Sequence, residues 1–416
     1  MHATQVDVPT DPSPLPELRQ PTSICRPIST PEYYHACVGT CPFTHEHPRE
    51  VILVLRGVGW IEPERWQQAI DRVVAVHPAL RLRLAGKRLK AMLRSDGPPP
   101  RLRVLEHCDW EASSYNGADF LQQEPLPLET GPTVELIIAR QSGDRSMLVL
   151  RGHHTIIDGS GALLLLKELF RTLRGEPLLG SNATFSDTDL CRWLGKPTQM
   201  QWPFRTMWLT GDCQKGEKGE ELRRISLPSS TFNLMPRIAA AFAGFAHRYS
   251  DKPASLAIPV DLRRHVPGLL STMNYVNMIR VRMEKGDGPD VFKARLQSLL
   301  SQNEDINSLF ELDWFKALPM PWVDFWVSRN ALNYRRRRAN ETAVISYIGH
   351  SYPPHFSAPG FETTDMVIMP QRATAFATIC KFGKRVEMML NLPKVLAGDG
   401  RFDALQEHLL RELASR

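Results

Sequence analysis

The segment Arg151-Gly152-His153-His154-Thr155-Ile156-Ile157-Asp158-Gly159 holds the residue types from which a proton-transfer site can be built. Two adjacent histidines end an apolar run, an aspartate stands four residues after the second, and a glycine follows it. Imidazole titrates near neutrality without tuning, so one of the pair can serve as general base for a hydroxyl or an amine. A histidine at a strand end is also a common hydrogen-bonded packing residue. Asp158 has two readings: it orients His154, or it pairs with a buried arginine and holds the turn. A helix starting directly after it favours the second. Gly159 permits a close turn and leaves a backbone N–H free. No serine-hydrolase elbow, phosphate-binding loop or dinucleotide fingerprint occurs in the chain.

The histidines need a rigid strand behind them and a helix in front. Residues 147–150 predict the strand, and residues 161–173 predict a helix with a wide leucine face stopped near Gly175. Upstream, residues 51–58 read as a buried strand. Residues 61–76 read as a helix, with Pro63 in its first turn and Trp66, Ala69, Ile70, Val73 and Val74 on one face. His77-Pro78 stops it. Leu80, Leu82 and Leu84 alternate with arginines and predict a strand; residues 102–105 and 134–139 predict two more. Residues 1–31, rich in Pro, Ser and Thr, read as an extended arm, and residues 214–221 as a solvated crossover. The pattern then restarts. Helices are expected at residues 234–249, 291–300 and 402–413, and strands at 255–260, 275–283, 342–348, 375–381 and 385–390. Each half alternates strands with helices and is long enough for its own core.

The chain has 416 residues, 42% apolar and 23% charged, which suits a folded protein of two or three units. No apolar stretch approaches the ~20 residues of a membrane helix, and the first twenty residues lack a signal-peptide core. A net charge of +6 is not that of a dedicated nucleic-acid binder. Seven irregularly spaced cysteines fit free thiols in the cytoplasm. Cys37 and Cys41, with His45 and His47 nearby, lack a second pair at zinc spacing, so no metal is expected. The run Arg335-Arg336-Arg337-Arg338 is a solvated loop or a contact for phosphate or an acidic partner.

His153 to Gly159 resembles the HHxxxDG signature of the chloramphenicol acetyltransferase-like superfamily, which includes nonribosomal peptide condensation domains, polyketide-associated acyltransferases, alcohol acetyltransferases and wax ester synthases. Further segments agree in order. His77-Pro78-Ala79-Leu80-Arg81 is similar to the "RHxxLR" segment, with Val76 in place of its first arginine. The segment from Glu124 to Pro132 is similar to "PFDLxxGP", and Val276-Asn277-Met278-Ile279-Arg280-Val281-Arg282 to "VNTLPLR". Ile258 to Arg264 resembles the strand-and-arginine segment before it, and Ile345-Ser346-Tyr347-Ile348-Gly349 the "SNLG" segment. The "HQDxPFE" and "SxAQxRLW" segments are missing, with Ser29-Thr30-Pro31-Glu32 in roughly the place of the latter. No carrier or adenylation segment accompanies these motifs, so a free-standing member is expected, closest to condensation-type enzymes.

The resemblance implies an α/β fold of two acetyltransferase-like subdomains, each a mixed sheet with helices, set as a V around an active-site tunnel. Residues 32–205 would form the first and residues 206–416 the second. It implies that His154 takes a proton from the acceptor as it attacks a thioester carbonyl and returns one to the leaving thiolate. His153 would pack and hydrogen-bond, and a backbone N–H near Gly159 would meet the developing oxyanion. Asp158 would pair with Arg263 or Arg264, or else with Arg81. Asn277 would reach the cleft or pair with backbone groups. The donor would be a phosphopantetheine thioester, on an acyl or peptidyl carrier protein or as acyl-CoA, and Arg335–338 would face the carrier or the CoA phosphate. The acceptor would be a small molecule with a hydroxyl or amine. Three function classes follow: a carrier-dependent condensation enzyme of secondary metabolism, an acyl-CoA-dependent acyltransferase, and a non-catalytic recruitment domain.

Overall fold

The computed structural model describes residues 18–43, 48–195, 205–213, 219–227, 233–306, 313–331, 339–372 and 374–414. The first half contains β1 (Cys25–Pro27), α1 (Thr30–Cys37), β2 (Glu50–Gly59), α2 (Pro63–Val76), β3 (Arg83–Ala85), β4 (Met92–Arg94), β5 (Arg101–Leu105), β6 (Val134–Arg140), β7 (Arg145–His153), α3 (Gly159–Leu173) and α4 (Asp187–Trp193). The second half contains β8 (Glu220–Leu227), α5 (Leu234–Ala246), β9 (Ala254–Asp261), β10 (Val276–Met283), α6 (Pro289–Ser301), α7 (Met320–Ala331) and β11 (Ala343–Ser351). It closes with β12 (Phe361–Ile368), β13 (Phe376–Phe382), β14 (Arg385–Pro393), α8 (Lys394–Ala397) and α9 (Arg401–Ala414).

Two mixed sheets dominate. The first has the order β12-β2-β7-β6-β5, with only β5 and β6 parallel; the second has the order β10-β9-β11-β13-β14-β8, with β11 parallel to both neighbours. β7 is central and covered on both faces, which is why it reads as a continuous apolar run. Leu148 and Leu150 face α2 and α3, while Met147 and Val149 face Trp110 and Phe120. α5 and α9 cover one face of the second sheet through Ile238, Phe242, Phe245, Phe402, Leu405 and Leu409. The strand β12 comes late in the sequence yet completes the first sheet by pairing with β2.

Several local expectations are corrected. Residues 80–84 are not one strand: Pro78 starts a 3₁₀ turn over Pro78–Arg81, and only Arg83–Ala85 extends. Leu80, Leu82 and Leu84 are all buried, so the alternation reported burial and not backbone shape. The supposed arm is structured from residue 18 onward. β1 pairs with β4, Ile24 and Ile28 are buried, and Ser29 caps α1 through a capping box with Glu32. The crossover over residues 214–221 ends earlier, because Glu220 already pairs within the sheet. β12 escaped notice because its inward positions include Thr363 and Asp365; Asp365 is buried between Arg56 and Arg224.

A third sheet, β1-β4-β3, roofs a core shared by the two halves. There Ile28 and Tyr33 of the first half pack with Leu262, Met273 and Tyr275 of the second. This core brings the loop between β9 and β10 against the start of α3.

Candidate active site

β7 delivers the histidines, and buried charges hold its end. Arg151 lies 3.0 Å from Glu135 on β6 and 2.7 Å from Glu50 on β2. Glu135 is fully buried and also meets Arg101 and Arg103 at 2.6 and 3.1 Å. These paired charges lock the register of three strands beside His153. His153 faces inward, and its Nδ1 accepts from the Thr155 amide at 3.2 Å. Burial first, then the neighbouring His154, pushes its pKa down to about 4.

His154 is only half-buried. Its amide donates to the Arg49 carbonyl at 2.8 Å. Asn274 reaches it from the second half: its Nδ2 donates to the His154 carbonyl at 2.9 Å and lies 3.4 Å from His154 Nδ1. Burial holds the His154 pKa down to about 4, and the charge of Arg49 acts the same way, against hydrogen bonding to the backbone at His154 and Ile157. The ring is therefore neutral at physiological pH and free to accept a proton. One face of the ring is covered by His35 of α1, with ring centroids 4.3 Å apart and planes 16° from parallel.

Asp158 caps α3, and its Oδ1 accepts from the Gly161 amide at 2.7 Å. Its Oδ2 accepts from the Tyr275 amide at 2.7 Å, and Arg263 donates to both oxygens at 3.0 and 3.2 Å. Burial raises the pKa of this carboxyl above its ordinary value, and the charge of Asp261 acts the same way, against the Arg263 guanidinium and the Tyr275 N–H; the carboxylates of Asp158 and Asp261 in turn keep Arg263 protonated. Arg263 also donates to the carbonyls of Ser271 and Met273 at 3.1 and 2.6 Å, clamping the loop that carries Asn274. Gly161 lets that loop approach, because a Cβ there would collide with the Thr272 carbonyl. The amides of Gly159 and Ser160 open α3 at the same corner.

The other expected partners lie elsewhere. Arg264 pairs with Asp305 at 2.7 Å, and Arg81 donates to the Gly97 carbonyl at 2.8 Å. Asn277 is turned from His154: it donates to the Asp305 carbonyl at 2.5 Å and accepts from the Met278 amide at 2.8 Å. Of the two readings of Asn277, the structure has the pairing with backbone groups, and Asn274 is the asparagine that meets His154. Arg335, Arg336, Arg337 and Arg338 lie outside the described residues, as do His45 and His47. His35, Arg49 and Asn274 were not singled out in the sequence. Only the second asparagine in Asn274-Tyr275-Val276-Asn277 could hint that the loop before β10 carries polar function.

Among the described residues, no three His, Cys, Asp or Glu side chains converge as a metal site, and no helix is long and apolar enough to cross a membrane. A surface groove of about 560 Å³ lined by Arg56, Arg224, Lys384 and Arg385 contains none of the residues around His154, so side-chain chemistry and not groove size locates the site.

Residues 45–187 match the family model of the Condensation domain. The first condensation domain of the calcium-dependent antibiotic synthetase, in complex with a substrate analogue, superposes with a TM-score of 0.67 at 15% identity, covering 95% of this chain and 96% of that one. The chain has the condensation-domain fold. As in that fold, two chloramphenicol acetyltransferase-like subdomains supply the two mixed sheets. The starter condensation domain of rhizomide synthetase RzmA, a mutant in complex with C8-CoA, is similar with a TM-score of 0.63 at 14% identity over 94% of this chain and 95% of that one. Chondramide synthase cmdD of Chondromyces crocatus is 29% identical over 139 residues, 32% of this chain. The matched region spans about 4% of that synthase's length. Residues 45–187, which match the family model, contain both histidines, Asp158 and α3, whereas Arg263 and Asn274 lie beyond them.

Proposed function

We propose that this chain is a transferase that moves an acyl group from a carrier-bound phosphopantetheine thioester to a hydroxyl or amine of a small molecule. The product is an ester or amide of secondary metabolism, and the thiol of the carrier is released. The observation that carries this reading is the placement of a neutral, partly exposed His154 at the end of β7, held from the second subdomain by Asn274. In the reaction His154 accepts the acceptor proton as the new C–O or C–N bond forms. The tetrahedral oxyanion collapses, the C–S bond breaks, and the proton passes to the thiolate. A base of low pKa gives modest driving force for full proton removal, so the transfer is concerted with attack and positioning supplies much of the rate. The amides at Gly159 and Ser160 are the donors nearest in sequence for the oxyanion. The run Arg335–338 would attract an acidic carrier over a range limited to about 8 Å at physiological salt.

Acyl-CoA is the second reading for the donor, favoured by the RzmA domain's own complex with C8-CoA. The test incubates the protein with an acyl-loaded carrier or with the matching acyl-CoA, plus a panel of alcohols and amines. Acyl loss from the carrier is followed by intact mass. Faster loss from the carrier than from CoA is the expected result, and equal or faster use of CoA reverses the donor assignment. His154→Ala should lower turnover by about 10²–10⁴-fold with an unchanged melting temperature. Near-full turnover in that variant overturns the role of His154.

A further inference from the structure

The helix α1 is anchored beside His154 by buried polar contacts. Its capping Glu32 is buried, accepts from the Ser29 amide at 2.8 Å and pairs with Arg26 at 2.5 Å. Its carbonyl accepts from the Thr155 hydroxyl at 3.3 Å, directly after the histidine pair. Tyr33 donates to the Leu318 carbonyl at 2.7 Å. One turn along this fixed helix, His35 lies flat on the His154 ring. The Nδ1 of His35 is buried without a hydrogen-bond partner, so what this ring brings to His154 is a flat packed face.

We propose that His35 is a positioning residue for His154, fixing the plane of that ring and shielding one face of it from water. The inference rests on the reading of His154 as the proton acceptor. An imidazole attached through a single Cβ swings about two torsions. Stacking on one face and Asn274 at the edge together leave it one orientation. The charged and titratable groups around the pair come from three elements: Arg49 in the chain entering β2, Tyr34 on α1, and His153 on β7. Arg49 itself is turned onto Tyr34, 4.9 Å from that ring's centre, with Nη2 donating to the hydroxyl at 3.1 Å. Near neutrality the stacked imidazoles are both uncharged, since burial leads the causes that lower each of them.

The experiment compares His35→Ala and His35→Phe in the full chain, with ¹⁵N-histidine NMR titration of His154 and steady-state kinetics on a carrier-bound donor. His35→Ala uncovers His154, so its pKa should rise by about one unit or more. The acid limb of kcat/KM should rise with it, and kcat should fall about tenfold with donor KM within about twofold. His35→Phe keeps a flat apolar ring, so it should hold the low pKa and recover most of the lost kcat. An unchanged His154 titration in His35→Ala overturns the proposal. So does a loss in His35→Phe as deep as in His35→Ala, because the nitrogens of His35 would then be what matters. The titration is read without turnover. A His154 titration that shifts in His35→Ala, together with a separate His154→Ala variant that keeps full turnover, would therefore defeat the base assignment and leave the stacking intact.

Discussion

Asp158 and Arg263 meet across the seam between the subdomains, with guanidinium-to-carboxylate distances of 3.0 and 3.2 Å. The pair joins the cap of the helix behind the histidines to the loop that carries Asn274. Asp158 is completely buried, so removing either partner strands a charge in a dry setting. Asp158→Ala or Arg263→Ala should each destabilise the fold by about 3–5 kcal/mol. The double variant should lose less than the sum. Chemical denaturation of the three variants checks this. A normal unfolding midpoint with abolished turnover in Asp158→Ala would move Asp158 into the chemistry.

Asn274 and Asn277 separate by location. Asn274→Ala loses the contact with His154 and should lower kcat about tenfold, with a stability loss of about 1 kcal/mol because its bonds are only partly buried. Asn277→Ala breaks the tie to the Asp305 carbonyl and should instead cost about 1–3 kcal/mol of stability, because that bond is buried. Its kcat should be near normal. Kinetics and melting curves on the two variants decide, and a reversed pattern would show that the loop before β10 turns over during catalysis.

The histidine pair gives a pH dependence of definite sign. His153 and His154 are both held to about 4, below the 6.5 of a free ring. Unfolded chain binds more protons at these positions between those limits. Their contribution to stability is therefore complete above about pH 6.5 and is lost as the pH falls toward 4, by about 3 kcal/mol for the buried His153 ring. Urea midpoints measured from about pH 7.5 down to about pH 4.5 should fall through this window, and less steeply in His153→Gln. The acid limb of kcat/KM should lie well below 6.5; a limb at 6.5 would mean that His154 is solvated in the working enzyme.

The chain's own order of residues determined the elements that carry the site. The apolar run ending in His153 reads as a strand, and its cover on both faces came from the structure. Asp158 directly ahead of a leucine-faced segment reads as standing just before a helix start, and its role as the cap came from the structure. The motif likeness extended this to the architecture, since hydrophobic periodicity survives divergence that erases most other identities. What the tertiary structure decided is which distant residues meet that corner. Three arginines stood as partners for Asp158, and only the loop packing that Gly161 permits selects Arg263. Asn274 and Asn277 are equivalent in sequence; the pleat and the turn before β10 send one to His154 and the other to Asp305. His35 sits in a short segment with no periodic signal, and it reaches His154 because the shared core under β1, β3 and β4 docks α1 there. The meetings at Asp158 and His154 depend on closures between residues more than a hundred positions apart, and local side-chain pattern holds no information about them.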